Sequence, residues 1–136
     1  MKLRIPLSLF CVLAIVLTAL AQVPAHESTI DGRWEAKVTT QRGEEITRFE
    51  FKNAGGQVSG TVTEGGAQPL VIKNGRLVAT KLTFDTMQSP AGGGDPIMIT
   101  WTGTVVGEGE SIRLIRTTAD GGVGRDFPEL EAKRVP

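Results

Sequence analysis

Residues 30–38 read IDGRWEAKV. A Gly-x-Trp precedes an alternation in which Trp34, Ala36 and Val38 fall on one face and Arg33, Glu35 and Lys37 on the other. A period of two, with apolar side chains in and charges out, specifies a strand buried on one face only. The stretch poses a choice for Trp34 between the floor of a ligand pocket and the plug of a closed barrel.

The alternation recurs downstream. Ile46–Asn53 sets Phe49 and Phe51 against Arg48, Glu50 and Lys52, and Gln57–Thr63 sets Val58, Gly60 and Val62 against Ser59, Thr61 and Thr63. Leu70–Lys73 is a short strand and Arg76–Met87 a long one with Leu82 and Phe84 inward. Ile97–Val106 alternates Ile97, Ile99, Trp101, Gly103 and Val105 with Met98 and three threonines. Ser111–Thr118 and Asp126–Arg134 complete eight strands. Turn chemistry separates them: Arg42-Gly43, Gly55-Gly56, Gly65-Gly66, Gly107-Glu108-Gly109 and, as the strongest signal, Asn74-Gly75, whose residues suit a hairpin with positive φ at both central positions. Only 88–96 and 119–125 are longer connections. No window sustains a helical period.

Eight strands joined by short hairpins form a meander. With one apolar face it closes most economically into an up-and-down antiparallel barrel, because closure removes the exposed edges. A two-sheet sandwich is the competitor, but its Greek-key crossovers need more long connections than this chain has. The expected interior comprises Trp34, Val38, Phe49, Phe51, Val58, Val62, Leu70, Ile72, Leu82, Phe84, Ile97, Ile99, Trp101, Val105, Ile112, Leu114, Phe127 and Leu130. Their size favours a filled core, whereas the small Ala36, Gly60, Ala79 and Gly103 leave room for a hollow.

The N-terminus has the pattern of an export signal. Lys2 and Arg4 precede an apolar run from Leu7 to Leu20, and Ala19-Leu20-Ala21 supplies small residues for cleavage after Ala21, with Ala25 as a second choice and an uncleaved anchor as the alternative. The expected organisation is therefore a signal peptide at 1–21, an unstructured lead at 22–29 and a barrel domain at 30–136, in a secreted or periplasmic protein. Cys11, the single cysteine, lies inside the signal behind Phe10, which argues against lipidation and leaves the mature domain without disulfides. All fifteen acids follow the signal while two of the fifteen bases lie within it, so the mature chain is slightly acidic. Without a basic stripe, nucleic acid and anionic membrane surfaces are poor partners.

Catalytic chemistry finds little support. His26, the only histidine, sits beside the cleavage region, so no Ser-His-acid triad, Cys-His pair or zinc site can be assembled. Glu44-Glu45, Glu108 with Glu110, and Glu129 with Glu131 offer paired carboxylates, but by parity most acids face outward. "GGVG" at 121–124 lacks a following helix to make a phosphate cradle, and Asp120 with Asp126 lacks calcium-loop spacing. No catalytic residue, metal or cofactor is expected.

Gly32-Arg33-Trp34 resembles the Gly-x-Trp signature of lipocalins and the wider calycin barrels. That resemblance implies a Trp at the closed end, covered by a basic residue from the last strand. Here Arg134 shares parity with Leu130 and Ala132, so Gly32, Trp34 and Arg134 are the expected closure. The pattern from Asp31–Trp34, through Gly55–Val62 and Asn74-Gly75, to Ala132–Val135 also resembles a small barrel domain of secreted bacterial proteins with no settled activity. The chain departs from lipocalins in lacking their length and C-terminal helix. It departs from avidin-like barrels, whose biotin pocket relies on several Trp and a Tyr, in having two Trp and no Tyr, which argues against biotin binding.

Trp101, Arg116 and Phe84 are the candidate ligand-binding residues. Arg116 has inward parity after Ile112 and Leu114; either it anchors a ligand inside a mouth, or the strand ends there and it swings to solvent. Three functions stay open: a monomeric binding or interaction module for a small apolar ligand or a protein partner, a structural accessory domain with a filled core, and, weakest, a carboxylate hydrolase. Any ligand site is expected at the end opposite Trp34, among the loops at 88–96 and 119–125 if these share one rim.

Overall fold

The structure is a computed structural model that describes residues 29–118 and 128–136. The expected signal peptide, most of the lead, Cys11, His26, Phe127 and the loop carrying Asp120 and Asp126 lie outside them. The described residues contain strands and turns and no helix.

The strands are β1 (Gly32–Thr40), β2 (Gly43–Ala54), β3 (Gln57–Glu64), β4 (Leu70–Val71), β5 (Lys73–Val78), β6 (Lys81–Gln88), β7 (Ile97–Val106), β8 (Ser111–Thr118) and β9 (Leu130–Val135). All pairings are antiparallel. Successive strands pair, except that β4 and β5 do not pair with each other but both lie along the edge of β3, and β1 pairs with both β2 and β9. Counting β4 and β5 as one interrupted stave, eight staves close into an up-and-down barrel, so the sandwich is excluded. The hairpin turns at 55–56, 65–66 and 107–110 fall where the glycines placed them.

Strand alternation builds the core. Trp34, Phe49, Phe51, Val62, Leu82, Phe84, Trp101, Val105, Ile112, Leu114 and Leu130 are buried, with Ile30, Leu77 and Ala132 beside them. The small interior positions leave no room at two places. A Cβ on Gly103 would stand 2.6 Å from Leu114 Cδ2, so the Leu114 side chain already occupies that space. A Cβ on Gly60 would stand 1.7 Å from the Glu50 carbonyl oxygen, so β2 and β3 approach there backbone to backbone.

Asn74-Gly75 is not the hairpin turn. Both residues lie inside β5, where the register with β6 shifts between Lys73 and Arg76. Asn74 has φ 52° and its amide Nδ2 donates to Asp85 Oδ2 at 3.0 Å, which pins a bulge to the neighbouring strand. Gly75 packs on β3 so closely that a Cβ would come within 2.0 Å of the Val58 carbonyl oxygen. The turn falls instead at Ala79-Thr80, with Ala79 at φ 54°. The expected strand Arg76–Met87 is thus divided between β5 and β6, and Ala79 is an exposed turn residue rather than an inward one. Ile97 is 46% exposed at the start of β7, while Val38 and Leu70 are half-buried.

Candidate functional site

The two ends of the barrel differ in chemistry. One end carries the turns at 55–56, 79–80 and 107–110 and both termini of the described chain. Trp34 is fully buried there and its Nε1 donates to the Ile30 carbonyl at 2.8 Å. Arg134 stands opposite Trp34 in the β1–β9 register, with its guanidinium carbon 4.5 Å from the indole centroid. It donates to the carbonyls of Asp31 and Thr29, the latter at 2.8 Å. Gly32 is part of the fit, because a Cβ on it would stand 3.2 Å from an Arg134 guanidinium nitrogen. Asp31 Oδ1 also accepts from the Asn53 amide at 2.6 Å. Gly32, Trp34 and Arg134 are thus brought together as a capped closed end, and the segment before β1 is fastened across it.

The middle is filled by rings. Phe49 stacks on Phe51 at 5.6 Å between centroids and meets Trp101 edge-on at 5.5 Å; Phe51 meets Phe84 at 5.6 Å, and Phe84 stacks on Trp101 at 5.7 Å. These spacings belong to favourable aromatic pairs.

At the other end four of the inward stripes turn polar, while β7 and β1 carry Ile99 and Val38 there. β3 continues its inward parity from Val58, Gly60 and Val62 to Glu64; β6 from Leu82 and Phe84 to Thr86; β8 from Ile112 and Leu114 to Arg116; and β2 ends its stripe on Thr47. Thr86 is fully buried, and its hydroxyl accepts the Trp101 Nε1 proton at 3.0 Å. β8 does not stop at Arg116 but runs on to Thr118. The Arg116 guanidinium carbon sits 5.7 Å from the Trp101 ring centroid, and the side chain is ion-paired to Glu64 with both about four-fifths buried. Phe84, Trp101 and Arg116 occupy one cross-strand row, Phe84 opposite Trp101 and Trp101 opposite Arg116. The predicted trio is therefore adjacent, with two members in the ring cluster and one at its rim-side surface. The connection 89–96 opens from this same end, and β8 ends and β9 begins there.

No family model, curated protein or solved structure matches this chain.

Glu64 and Thr86 were not among the sequence candidates. Ending the third strand at Thr63 assigned Glu64 to the turn; carrying the alternation one step further places it inward. Thr86 carries the same signal, two residues beyond Phe84. The paired carboxylates behave differently: Glu44, Glu45, Glu108, Glu110, Glu129 and Glu131 are all exposed, with Glu44 at 3.4 Å from Lys37 and Glu129 at 3.6 Å from Arg113. A depression of about 420 Å³ on the outer wall is bordered by Arg33, Glu35, Arg48, Glu50, Thr61 and Thr63. Arg48 and Glu35 bond across it at 3.1 Å, as ordinary cross-strand partners on a solvated face do. Every aromatic ring among the described residues is buried, so that face offers no stacking platform.

Proposed function

We propose that this chain is an exported, calycin-type binding module, monomeric and without catalytic activity, that receives a small ligand at the polar rim of its barrel. The single observation that carries the reading is the change of the inward stripes of β2, β3, β6 and β8 from apolar to polar at the end away from Trp34, with Thr86 and Arg116 on Trp101 and Glu64 paired to Arg116. Placing a charged pair inside a barrel mouth carries a desolvation penalty that apolar residues there would avoid. A few convergent polar groups on an apolar floor are the ordinary make-up of a ligand site. The ring cluster beneath confines the ligand to the rim, so its apolar part is small. The signal-like residues 1–21 support export.

The test is a titration of the Trp34→Phe variant, in which Trp101 is the only tryptophan, with a fluorescent apolar probe. Saturable change in Trp101 emission is expected, and its loss in Arg116→Ala. If the emission is unmoved by any probe, the second reading takes over. The closely spaced ring cluster favours that reading, an accessory domain whose core is full and whose interactions are made by its outer wall.

A further inference from the structure

Both tryptophans of the barrel are covered by an arginine, but the two arginines are held in different ways. Arg134, over Trp34, donates to the backbone carbonyls of Thr29 and Asp31. Those acceptors belong to a segment that is itself tied down by Trp34 Nε1 and by Asn53, so they cannot leave while the fold persists. Arg116, over Trp101, is paired instead with a side-chain carboxylate, Glu64. Glu64 is the last residue of β3 and is followed by the Gly65-Gly66 turn. Its backbone is fastened, since its carbonyl accepts from the Ala67 amide at 3.0 Å, but its side chain needs only rotamer changes to move into water.

From this contrast we infer that the ligand of the rim is a small monocarboxylate with an apolar body, and that its carboxylate displaces Glu64 from Arg116. The inference rests on the rim being a binding site, as proposed above, and adds the chemical class. Arg116 is the fixed partner of the pair. It lies against Trp101, which is in turn held by Thr86, whereas Glu64 borders a glycine turn. A guanidinium fork matches a carboxylate geometrically, and an incoming carboxylate reproduces the bonds that Glu64 gives up. Glu64 then acts as an internal competitor that occupies the fork in the empty protein. The ring cluster below limits the body to something near one aromatic ring or a short acyl chain.

The experiment is a ¹H–¹⁵N titration of the full chain, following the two indole N–H signals, with benzoate, neutral benzamide and cationic benzamidine as probes. Benzoate is expected to shift the Trp101 indole signal saturably and to leave that of Trp34 unmoved. Glu64→Gln removes the competitor and is expected to tighten benzoate about tenfold, a change of ~1.4 kcal/mol, with benzamide unaffected. Arg116→Lys keeps the charge but not the fork and is expected to weaken benzoate; Arg116→Gln is expected to abolish its binding. Thermal melts of each variant report whether the barrel remains folded. Benzoate and benzamide binding equally well, Glu64→Gln weakening benzoate, or a preference for benzamidine would each overturn the carboxylate assignment while leaving a rim site in place. Failure of all three probes on every folded variant would remove the rim site, and this inference with it.

Discussion

At the scale of single residues, Trp34 and Arg134 show how one row of the barrel closes it. Trp34 is fully buried, bonded through Nε1 to Ile30 and roofed by Arg134. Replacing it with Ala removes the largest side chain at that end and strands the Ile30 carbonyl. Trp34→Ala should therefore destabilise the domain by roughly 3–5 kcal/mol, the range for truncating a buried aromatic. Arg134→Ala should cost less, about 1–2 kcal/mol, because the guanidinium is exposed and water replaces it at the two carbonyls. Urea denaturation followed by far-UV circular dichroism measures both. A near-neutral Trp34→Ala would show that the closed end does not depend on this plug. Gly60 tests the interior differently: any side chain there meets the Glu50 carbonyl, and φ is 140°. Gly60→Ala should destabilise by ~1–3 kcal/mol despite being a small substitution, through forced separation of β2 and β3.

At the scale of elements, the informative stave is the interrupted one. β5 meets β3 at only two register pairs, Gln57–Arg76 and Val58–Gly75, and its register with β6 shifts at the bulge. Its turn into β6 places Ala79 at φ 54°, a conformation that is unfavourable by roughly 1–2 kcal/mol for a residue with a Cβ. Ala79→Gly should consequently stabilise the domain, by about 0.5–1 kcal/mol after the greater entropy of glycine in the unfolded chain is taken off. The denaturation midpoint would rise with the slope unchanged; a fall would mean that the turn is not strained. The same stave shows where sequence reasoning stops. Alternation and glycine pairs located the staves and the barrel because burial on one face forces a period of two. Asn74-Gly75 misled because positive φ serves a bulge as well as it serves a turn, and the choice between them depends on Asp85 and Val58, which lie across two other strands. The real turn was hidden because Ala is a residue that turn chemistry does not flag. At the candidate site, Arg116, Trp101 and Phe84 were visible from parity alone. The Arg116–Glu64 pairing was not, since 52 residues separate them and only closure brings β3 and β8 to the same rim.

At the scale of the whole molecule, closure is the property on which the rest depends. β9 supplies it: its register runs from Arg33–Val135 to Ala36–Ala132 along β1, and from Ser111–Lys133 to Leu114–Leu130 along β8. Leu130 and Ala132 are buried in the same core as Trp34 and Ile112. Without β9, β1 and β8 would each present an unpaired edge, the Trp34 face would open to water, and Arg134 would be gone from its roof. An open sheet of this length must either pair with another copy or lose its order. Because every stave is hydrogen-bonded to two neighbours, loss at one seam cannot be confined to that seam, and the domain should unfold as one cooperative unit. Deleting residues 130–136 should then abolish the near-UV circular dichroism of both tryptophans together, including Trp101 at the opposite end, and move the emission to that of solvent-exposed indole. A truncated chain that kept the Trp101 signal while losing only that of Trp34 would show two separable ends, so the rim could keep its shape without the plug. The closed register makes the first outcome the expected one. It also explains why a ligand at the rim should raise the stability of the entire barrel, by an amount that grows logarithmically with its concentration. A thermal melt of the intact domain with increasing benzoate measures that coupling directly, and Trp34→Phe should lower every melt in the series while leaving the benzoate-dependent increment unchanged.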